Sequence, residues 1–477
     1  MLQAIANVFR IPDLRNKVLF TLAMLAVYRI GHWIPVPGVD QSALKSFFEQ
    51  QVSQGSAVGK MTQFVAVFSG GQLGQSTIFG LGIMPYISAG IIFQLLASVY
   101  EPLKKLQQEG PTGRQKIMEW TRYTTVILCV IQAFSFLGLI SSQGLVYANW
   151  AHSPLWWVMA VVAMTAGCLF LMWLGEQIDK YGIGNGVSLI IAAGILSQFP
   201  RAVLWMVNNS PLRDIGLLQT LLGVEGGKGD TALSWMGVIF ICFTFVGVVA
   251  GCVLITVAQR RIPVQQAKHT RGRKVYGGQR SYLPLRVNHG GVMPIIFASS
   301  LMIFPSVIFG YFKDASANSD GWWRSTATFL SDNFHIGEFP YIFCYILMVF
   351  FFSYVWTTVQ FNPEDMSKQL RDHGSFIPGL RPGPRTAEYL EAVMERITFV
   401  GAGFLCVLAV LPMVLNKQLN IDYAVTHFLG GTGLLIVVSV CLDMIQRIEA
   451  NLLMRNYAGF LGGDGGKGPR IRGPRSY

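Results

Sequence analysis

The residue groupings that most often carry chemistry are present here only in fragments. Gly227-Lys228-Gly229 and Gly466-Lys467-Gly468 have the look of a phosphate-binding loop, yet both lack the upstream glycine and the following Ser or Thr that would cradle and chelate a nucleotide. Cys129, Cys168, Cys242, Cys252, Cys344, Cys406 and Cys441 all fall inside apolar runs without the C-x-x-C spacing of a metal site, and read as small packing residues. The seven histidines avoid the middles of the apolar segments and form no H-E-x-x-H pair. Neither a metal nor a cofactor is expected. One grouping is different: residues 258–289 hold eight Lys or Arg and no Asp or Glu, a single-sign surface that would attract an acidic protein, anionic lipid or RNA phosphate.

The elements that must position these groups are membrane helices. Of 477 residues, 52% are apolar and 13% charged, with a mean hydropathy of +0.44, which argues against ordinary soluble domains. One membrane-spanning helix needs about 20 apolar residues. Ten segments pass that test, at 18–34, 76–98, 123–140, 155–175, 185–206, 234–257, 291–311, 339–360, 396–415 and 428–446, the fifth with polar ends. An even number places both termini on one side. With the N-terminus inside, inner segments carry 26 Lys and Arg and outer loops eight, as the positive-inside bias requires. Met1 to Lys17 includes Arg10, Asp13, Arg15 and Lys17 without a small-residue cleavage site, so the first apolar run is expected to be a retained span.

An internal repeat organises these spans. Gly82-Ile83-Met84-Pro85 opens the second and Gly291-Val292-Met293-Pro294 the seventh, each continuing into small residues, Ser88-Ala89-Gly90 and Ala298-Ser299-Ser300. The fifth and tenth correspond more loosely through Gly184-Asn185-Gly186 and Gly430-Gly431-Thr432-Gly433. Two halves of five spans, an odd number, must be inverted relative to each other, which is the plan of transport proteins with a path between the halves. Glycine and proline at these helix starts put that path near spans two, five, seven and ten. Before span two, Phe64 to Phe68 and the following Ser69-Gly70-Gly71-Gln72-Leu73-Gly74 are too short to cross a bilayer. They read either as an interfacial helix or as a re-entrant segment entering the path.

What the path lacks narrows its use. Coupled transporters bury carboxylates, His or Lys at mid-membrane, whereas Arg29, Glu176 and Asp443 lie near span ends here. A small-solute transporter is therefore disfavoured. A docking scaffold without a conduit would explain the basic loops but not the short apolar segment ahead of span two.

Two long motifs then carry a resemblance. Thr77 to Leu96 (TIFGLGIMPYISAGIIFQLL) and Leu174 to Ile191 (LGEQIDKYGIGNGVSLII), supported by Phe361-Asn362-Pro363, Phe376 to Gly383 and Leu283 to Phe297, resemble the bacterial SecY family over essentially the whole length. The resemblance implies an all-α polytopic protein, ten transmembrane helices in two inverted five-helix halves with a re-entrant plug helix. The halves would be 1–206 and 234–450, followed by a flexible basic tail at 451–477. It implies a passive protein-conducting channel of the Sec translocon, without enzymatic activity, carrying unfolded polypeptides across the bacterial plasma membrane with both termini cytoplasmic.

By motif position, the pore ring would comprise Ile83, Ile87, Val187, Ile191, Ile296 and Ile436; Ile83 with Ile87 and Val187 with Ile191 are each four apart and share a helix face. Position 187 is Val where many relatives carry Ile, and Gly433 stands where Ser is common. The plug would run from Gln63 to Gln75, with Phe64, Phe68, Gly70, Gly71 and Leu73. A lateral gate between spans two and seven, with three and eight alongside, would use Gln94, Thr125 and Asn288. The loops 258–290 and 361–392 would dock the ribosome and the SecA ATPase, through Arg271, Arg273, Lys274 and above all Arg381. Further implied partners are the small subunits SecE and SecG, signal peptides and nascent chains, SecDF, a YidC-type insertase and anionic phospholipids. Energy would come from SecA, the translating ribosome or the proton motive force.

Overall fold

The computed structural model describes residues 12–53, 76–147, 149–150, 153–208, 235–266, 269–271, 274–276, 278, 280–315, 322–334, 338–419 and 432–461. In chain order the first half contributes α1 (Pro12–Gly31), α2 (Gln41–Ser53), α3 (Met84–Val99), α4 (Glu101–Gln108), α5 (Pro111–Ser142), α6 (Pro154–Tyr181), α7 (Gly186–Leu196) and α8 (Phe199–Asn208). The second half contributes α9 (Trp235–Val257), β1 (Gln259–Gln266), β2 (His269–Arg271), β3 (Lys274–Tyr276), β4 (Arg280–Arg286), α10 (Met293–Ala315), α11 (Trp322–Asn333), α12 (Phe339–Gln360), α13 (Pro363–Asp372), β5 (Ser375–Phe376), α14 (Pro384–Leu419) and α15 (Thr432–Leu461). Each expected span falls on one of these helices, except the fifth, which is broken into α7 and α8 at Ser197 and Gln198. Among the described residues, α5, α6, α9, α12 and α14 are each long and apolar enough to cross a membrane.

Local chemistry explains where the helices start. α3, α6, α12 and α13 each carry proline in the first turn, where its missing N–H costs nothing and its fixed φ suits a helix. Asn185 caps α7 by accepting from the Ser188 N–H at 3.0 Å, and Asn362 caps α13 by accepting from the Glu364 N–H at 3.2 Å. At the start of α2, outside the long apolar helices, the Asp40 carboxylate accepts from Ser42 Oγ at 2.6 Å, the Ser42 N–H at 3.0 Å and the Ala43 N–H at 3.2 Å. Those bonds, the Ser42 hydroxyl foremost, hold its pKa below the usual carboxylate value.

The two halves pack by the same scheme. The first helix of each five packs on the fourth and the fifth (α1 on α6 and α7; α9 on α14 and α15), the second on the third (α3 on α5; α10 on α12), and the third on the fourth (α5 on α6; α12 on α14). Between the halves, α7 packs on α15 and α3 on α12. Within the first half, α6 and α7 approach so closely that a Cβ on Gly186 would collide with the Gly175 carbonyl, the small-residue contact that membrane helices use in place of a hydrophobic driving force. A bidentate ion pair joins Arg122 on α5 to Glu176 on α6, at 2.8 and 2.9 Å.

The strands lie outside the helical bundle, and no reading of the spans foresaw them. β1 pairs antiparallel with β4 (Gln259 opposite Arg286, Gln265 opposite Arg280) and, on its other edge, with β5 (Gln265 opposite Phe376). The loops 258–290 and 361–392 therefore fold together. Ile262, Val264 and Leu285 of the sheet pack with Ile377 and with Leu390, Val393 and Ile397 of α14.

Candidate functional site

The site begins at two glycines. Gly82 and Gly291 both have φ of +59°, a left-handed conformation that glycine adopts without the Cβ penalty of other residues. Each turns the chain into a helix that starts two residues later with Met-Pro, α3 and α10. Ile83 and Val292 follow the glycines directly, and Ile87 and Ile296 lie one helical turn further on, donating N–H bonds to the carbonyls of Ile83 and Val292 at 3.1 and 3.2 Å. The four-residue repeat is thus a repeat of backbone conformation as well as of sequence.

From these starts the side chains converge. Ile83, Ile87, Ile191, Ile296 and Ile436 are between 1% and 7% exposed and belong to one apolar cluster, with Val187 half-buried against it. Ile83 stands at the N-cap of α3, and α3, α7, α10 and α15 carry the other five, two helices from each half. Val292 packs on the same cluster and on the interior of the second half as well. The sequence reading passed over Val292, although its equivalence to Ile83 was visible in the repeat.

Residues 84–99, 186–196, 293–312 and 432–442 contain no Asp, Glu, Lys, Arg or His, so the four helices meet without an ionisable group along these stretches. Charge is held at their margin: Asp179 Oδ1 accepts from the Gly186 N–H at 2.7 Å and so tethers the end of α6 to the start of α7.

The polar residues assigned to a gate are arranged differently from one another. Gln94 is half-buried on α3. Thr125, buried on α5, donates its hydroxyl to the Thr121 carbonyl of its own helix at 2.7 Å. Asn288 Nδ2 donates to the Gly291 carbonyl at 2.9 Å, within the turn that launches α10. Thr125 and Asn288 satisfy their hydrogen bonding within their own segments, and Asn288 has a positioning role that its sequence context did not suggest.

Of the basic candidates, Arg381 is exposed in a turn fixed from both sides. Its carbonyl accepts from Thr386 Oγ1 at 2.9 Å, and Ser367 Oγ donates to the Gly383 carbonyl at 2.8 Å. Gly379 at φ +87° and Gly383 at φ +142° flank it. Arg271 and Lys274 sit opposite each other in the β2–β3 pair. Arg273 and the expected plug, Gln63 to Gln75 with Phe64, Phe68, Gly70, Gly71 and Leu73, lie outside the described residues, as does the tail beyond residue 461.

The fold and this seam define a polytopic helical membrane protein made of two repeats that share an aliphatic cluster. A model of the SecY family matches residues 77–445. The protein translocase subunit SecY of Chlamydia muridarum is 39% identical over 476 residues, covering 97% of this chain and 99% of that relative. The chain belongs to the SecY family; it is the channel subunit of a protein translocase and a multi-pass membrane protein. Two solved structures share the fold over 94% of this chain and 95% of their own. One, described as a protein conducting channel, has a TM-score of 0.58 at 17% identity. The other, Sec61 in a canine ribosome-channel complex from the endoplasmic reticulum, has a TM-score of 0.55 at 16% identity.

Proposed function

We propose that the cluster of Ile83, Ile87, Val187, Ile191, Ile296 and Ile436 is the seal of the channel, the waist through which an unfolded polypeptide passes between residues 1–206 and 234–450. The observation that carries this is the meeting of aliphatic side chains from both halves along helix stretches free of charge. An apolar constriction excludes ions by dewetting, while branched side chains can yield around a passing chain of any sequence. The segment Gln63 to Gln75 acts as the plug beneath it, and the seam of α3 and α5 with α10 and α12 is the lateral gate, lined by Gln94, Thr125 and Asn288, through which signal sequences reach lipid.

The sheet and the Arg381 turn form the docking face. An arginine fork pairs with carboxylate or phosphate in fixed geometry, and Arg381 is displayed on a loop whose backbone is tied down at its own carbonyl and at Gly383. This face receives SecA or a translating ribosome, with Arg271, Arg273 and Lys274 adding positive charge. The energy for movement comes from those partners or the proton motive force, and SecE and SecG complete the membrane complex. The Lys and Arg distribution supports cytoplasmic termini and a bacterial plasma-membrane location.

The test is protease protection of an unfolded secretory precursor in proteoliposomes holding the chain with its small subunits, SecA and ATP. Protection with the native chain and none with Arg381→Glu supports both the channel and the docking face. Protection with both removes Arg381 as the motor contact, and protection with neither, where a known translocase succeeds, removes the channel reading.

A further inference from the structure

The turn between α6 and α7 joins α1 and α15 as well as the two helices it connects. On one side the Ile183 N–H donates to Thr21 Oγ1 of α1 at 3.1 Å, and that hydroxyl donates in turn to the Lys17 carbonyl at 2.9 Å. The Ile183 side chain is buried with Leu14 and Val18 of α1 and with Met444 and Ile448 of α15. Residues of both halves therefore meet at this turn, and Met444 packs on the aliphatic cluster as well.

Two charges flank the packing, one from each half. Asp179, solvent-facing at the end of α6, accepts from the Gly186 N–H at 2.7 Å and so fixes the first residue of α7, the one before Val187. Arg447 lies between Met444 and Ile448 on α15, near enough for its charge to act on Asp179, while its Nε donates to Asp443 of its own helix at 2.9 Å. One guanidinium thus acts on a carboxylate of each half. The other charges beside Asp179 are engaged elsewhere: Glu176 is paired bidentately with Arg122, and the Lys180 ammonium sits 5.1 Å from the centre of the Tyr181 ring.

Both helices held here carry residues of the aliphatic cluster, Val187 and Ile191 on α7 and Ile436 on α15. Arg447 is three helical turns beyond Ile436, about 16 Å along a single continuous helix. Apolar packing is non-directional and would let α15 slide along the turn, whereas attraction between two charges favours one position. We propose that Asp179 and Arg447 are positioning residues for the seal: Asp179 sets the start of α7, Arg447 holds α15 to it from the opposite half, and together they keep Val187 and Ile191 in register with Ile436. The proposal rests on the seal reading of the aliphatic cluster.

The test is the resting ion conductance of the complex, with its small subunits, in planar bilayers. Asp179→Asn keeps an oxygen for the Gly186 N–H and removes only the charge. It and Arg447→Gln should each raise conductance about threefold, a modest effect that suits a solvent-facing pair. The double variant should leak no more than either single one, and Arg447→Lys should stay near native. Additive effects, or equal leaks from Arg447→Lys and Arg447→Gln, overturn the proposal, because lost packing rather than lost charge would be at work. Native values in both single variants overturn it too. Ile87→Asn in the same bilayers separates two failures: if it leaks while the charge variants do not, the proposal falls and the seal stands; if it does not leak, the seal falls and the proposal with it. Should Arg447→Gln not assemble, Arg447→Glu decides, read alone and together with Asp179→Asn. Reversal should leak more beside the carboxylate than beside the neutral amide, and equal leaks overturn the proposal.

Discussion

Ile87 and Ile296 occupy the same place in two copies of one motif. Each lies five residues beyond a glycine held at φ +59°, each is nearly buried, and both enter the apolar cluster where the two halves meet. Two glycines in an unusual conformation thus start two helices, one from each repeat, that feed the same apolar cluster.

If the pair acts as one seal, equivalent changes should have equivalent effects. Ile87→Asn and Ile296→Asn are each expected to raise resting ion conductance of the complex in planar bilayers, on the order of tenfold, because an amide wets a constriction that an aliphatic keeps dry. Ile87→Leu should leave it close to native. Unchanged conductance in both Asn variants would count strongly against the seal.

The turns themselves can be tested through stability. Gly82→Ala and Gly291→Ala each place a Cβ in the left-handed region, at a cost of roughly 1 to 2 kcal/mol. Gly291 has open space where the Cβ would sit, so conformation rather than collision sets the penalty there. Thermal unfolding of the purified complex should show a lower midpoint for both variants.

Asn288 separates a turn-holding role from a gate role. Losing its bond to the Gly291 carbonyl should cost about 1 kcal/mol. In a double-mutant cycle, Asn288→Ala and Gly291→Ala should be non-additive, since both act on one turn, whereas Asn288→Ala and Gln94→Ala should add. Coupling of the second pair and not of the first would assign Asn288 to the gate instead.

Thr386 offers a graded version of the Arg381 test. Thr386→Val keeps the side-chain shape but removes the hydroxyl that donates to the Arg381 carbonyl. SecA-driven translocation should fall several-fold with Thr386→Val and be abolished with Arg381→Glu, since a looser turn presents the fork less often while reversal repels the partner. Native rates in Thr386→Val would show that loop rigidity does not matter.

Asp40 gives α2 a pH dependence. Its pKa is lowered in the folded state, chiefly by the Ser42 hydroxyl, so its contribution is fully present above the ordinary carboxylate pKa of about 3.9 and is lost as pH falls through the lowered folded value. Asp40→Asn should melt below the native complex at neutral pH, and the gap should close on acidification. A gap of constant size would contradict the assignment.

The helices at the expected spans were legible because length and apolarity survive in sequence whatever the tertiary partners; among the described residues five of them are long and apolar enough to cross a membrane. That Ile87 and Ile296 share one cluster was expected from the family resemblance, while the repeat of glycine turns before α3 and α10 was legible from the sequence alone. The sheet was not foreseen, although β1 alternates buried Ile262 and Val264 with exposed neighbours. That two-residue period is short and sits among arginines, so the charge pattern dominated the reading. Nothing in the sequence showed that the Thr125 hydroxyl is taken up by its own helix; a helical hydroxyl can bond the carbonyl four residues back, and here does so. The break between α7 and α8 follows Ser197, whose hydroxyl donates to the Gly194 carbonyl at 2.6 Å, a local competition that a hydropathy window averages away.

The sheet beneath Arg381 belongs mechanically to one side of the molecule. Among the described residues, its apolar base draws on residues between Ile262 and Ile397, and in the chain its strands follow α9 and precede α10 and α14. On the proposed docking reading, a partner that gripped this face would hold the half carrying Ile296 and Ile436, so its pull would reach the aliphatic cluster from one side, against α3 and α7.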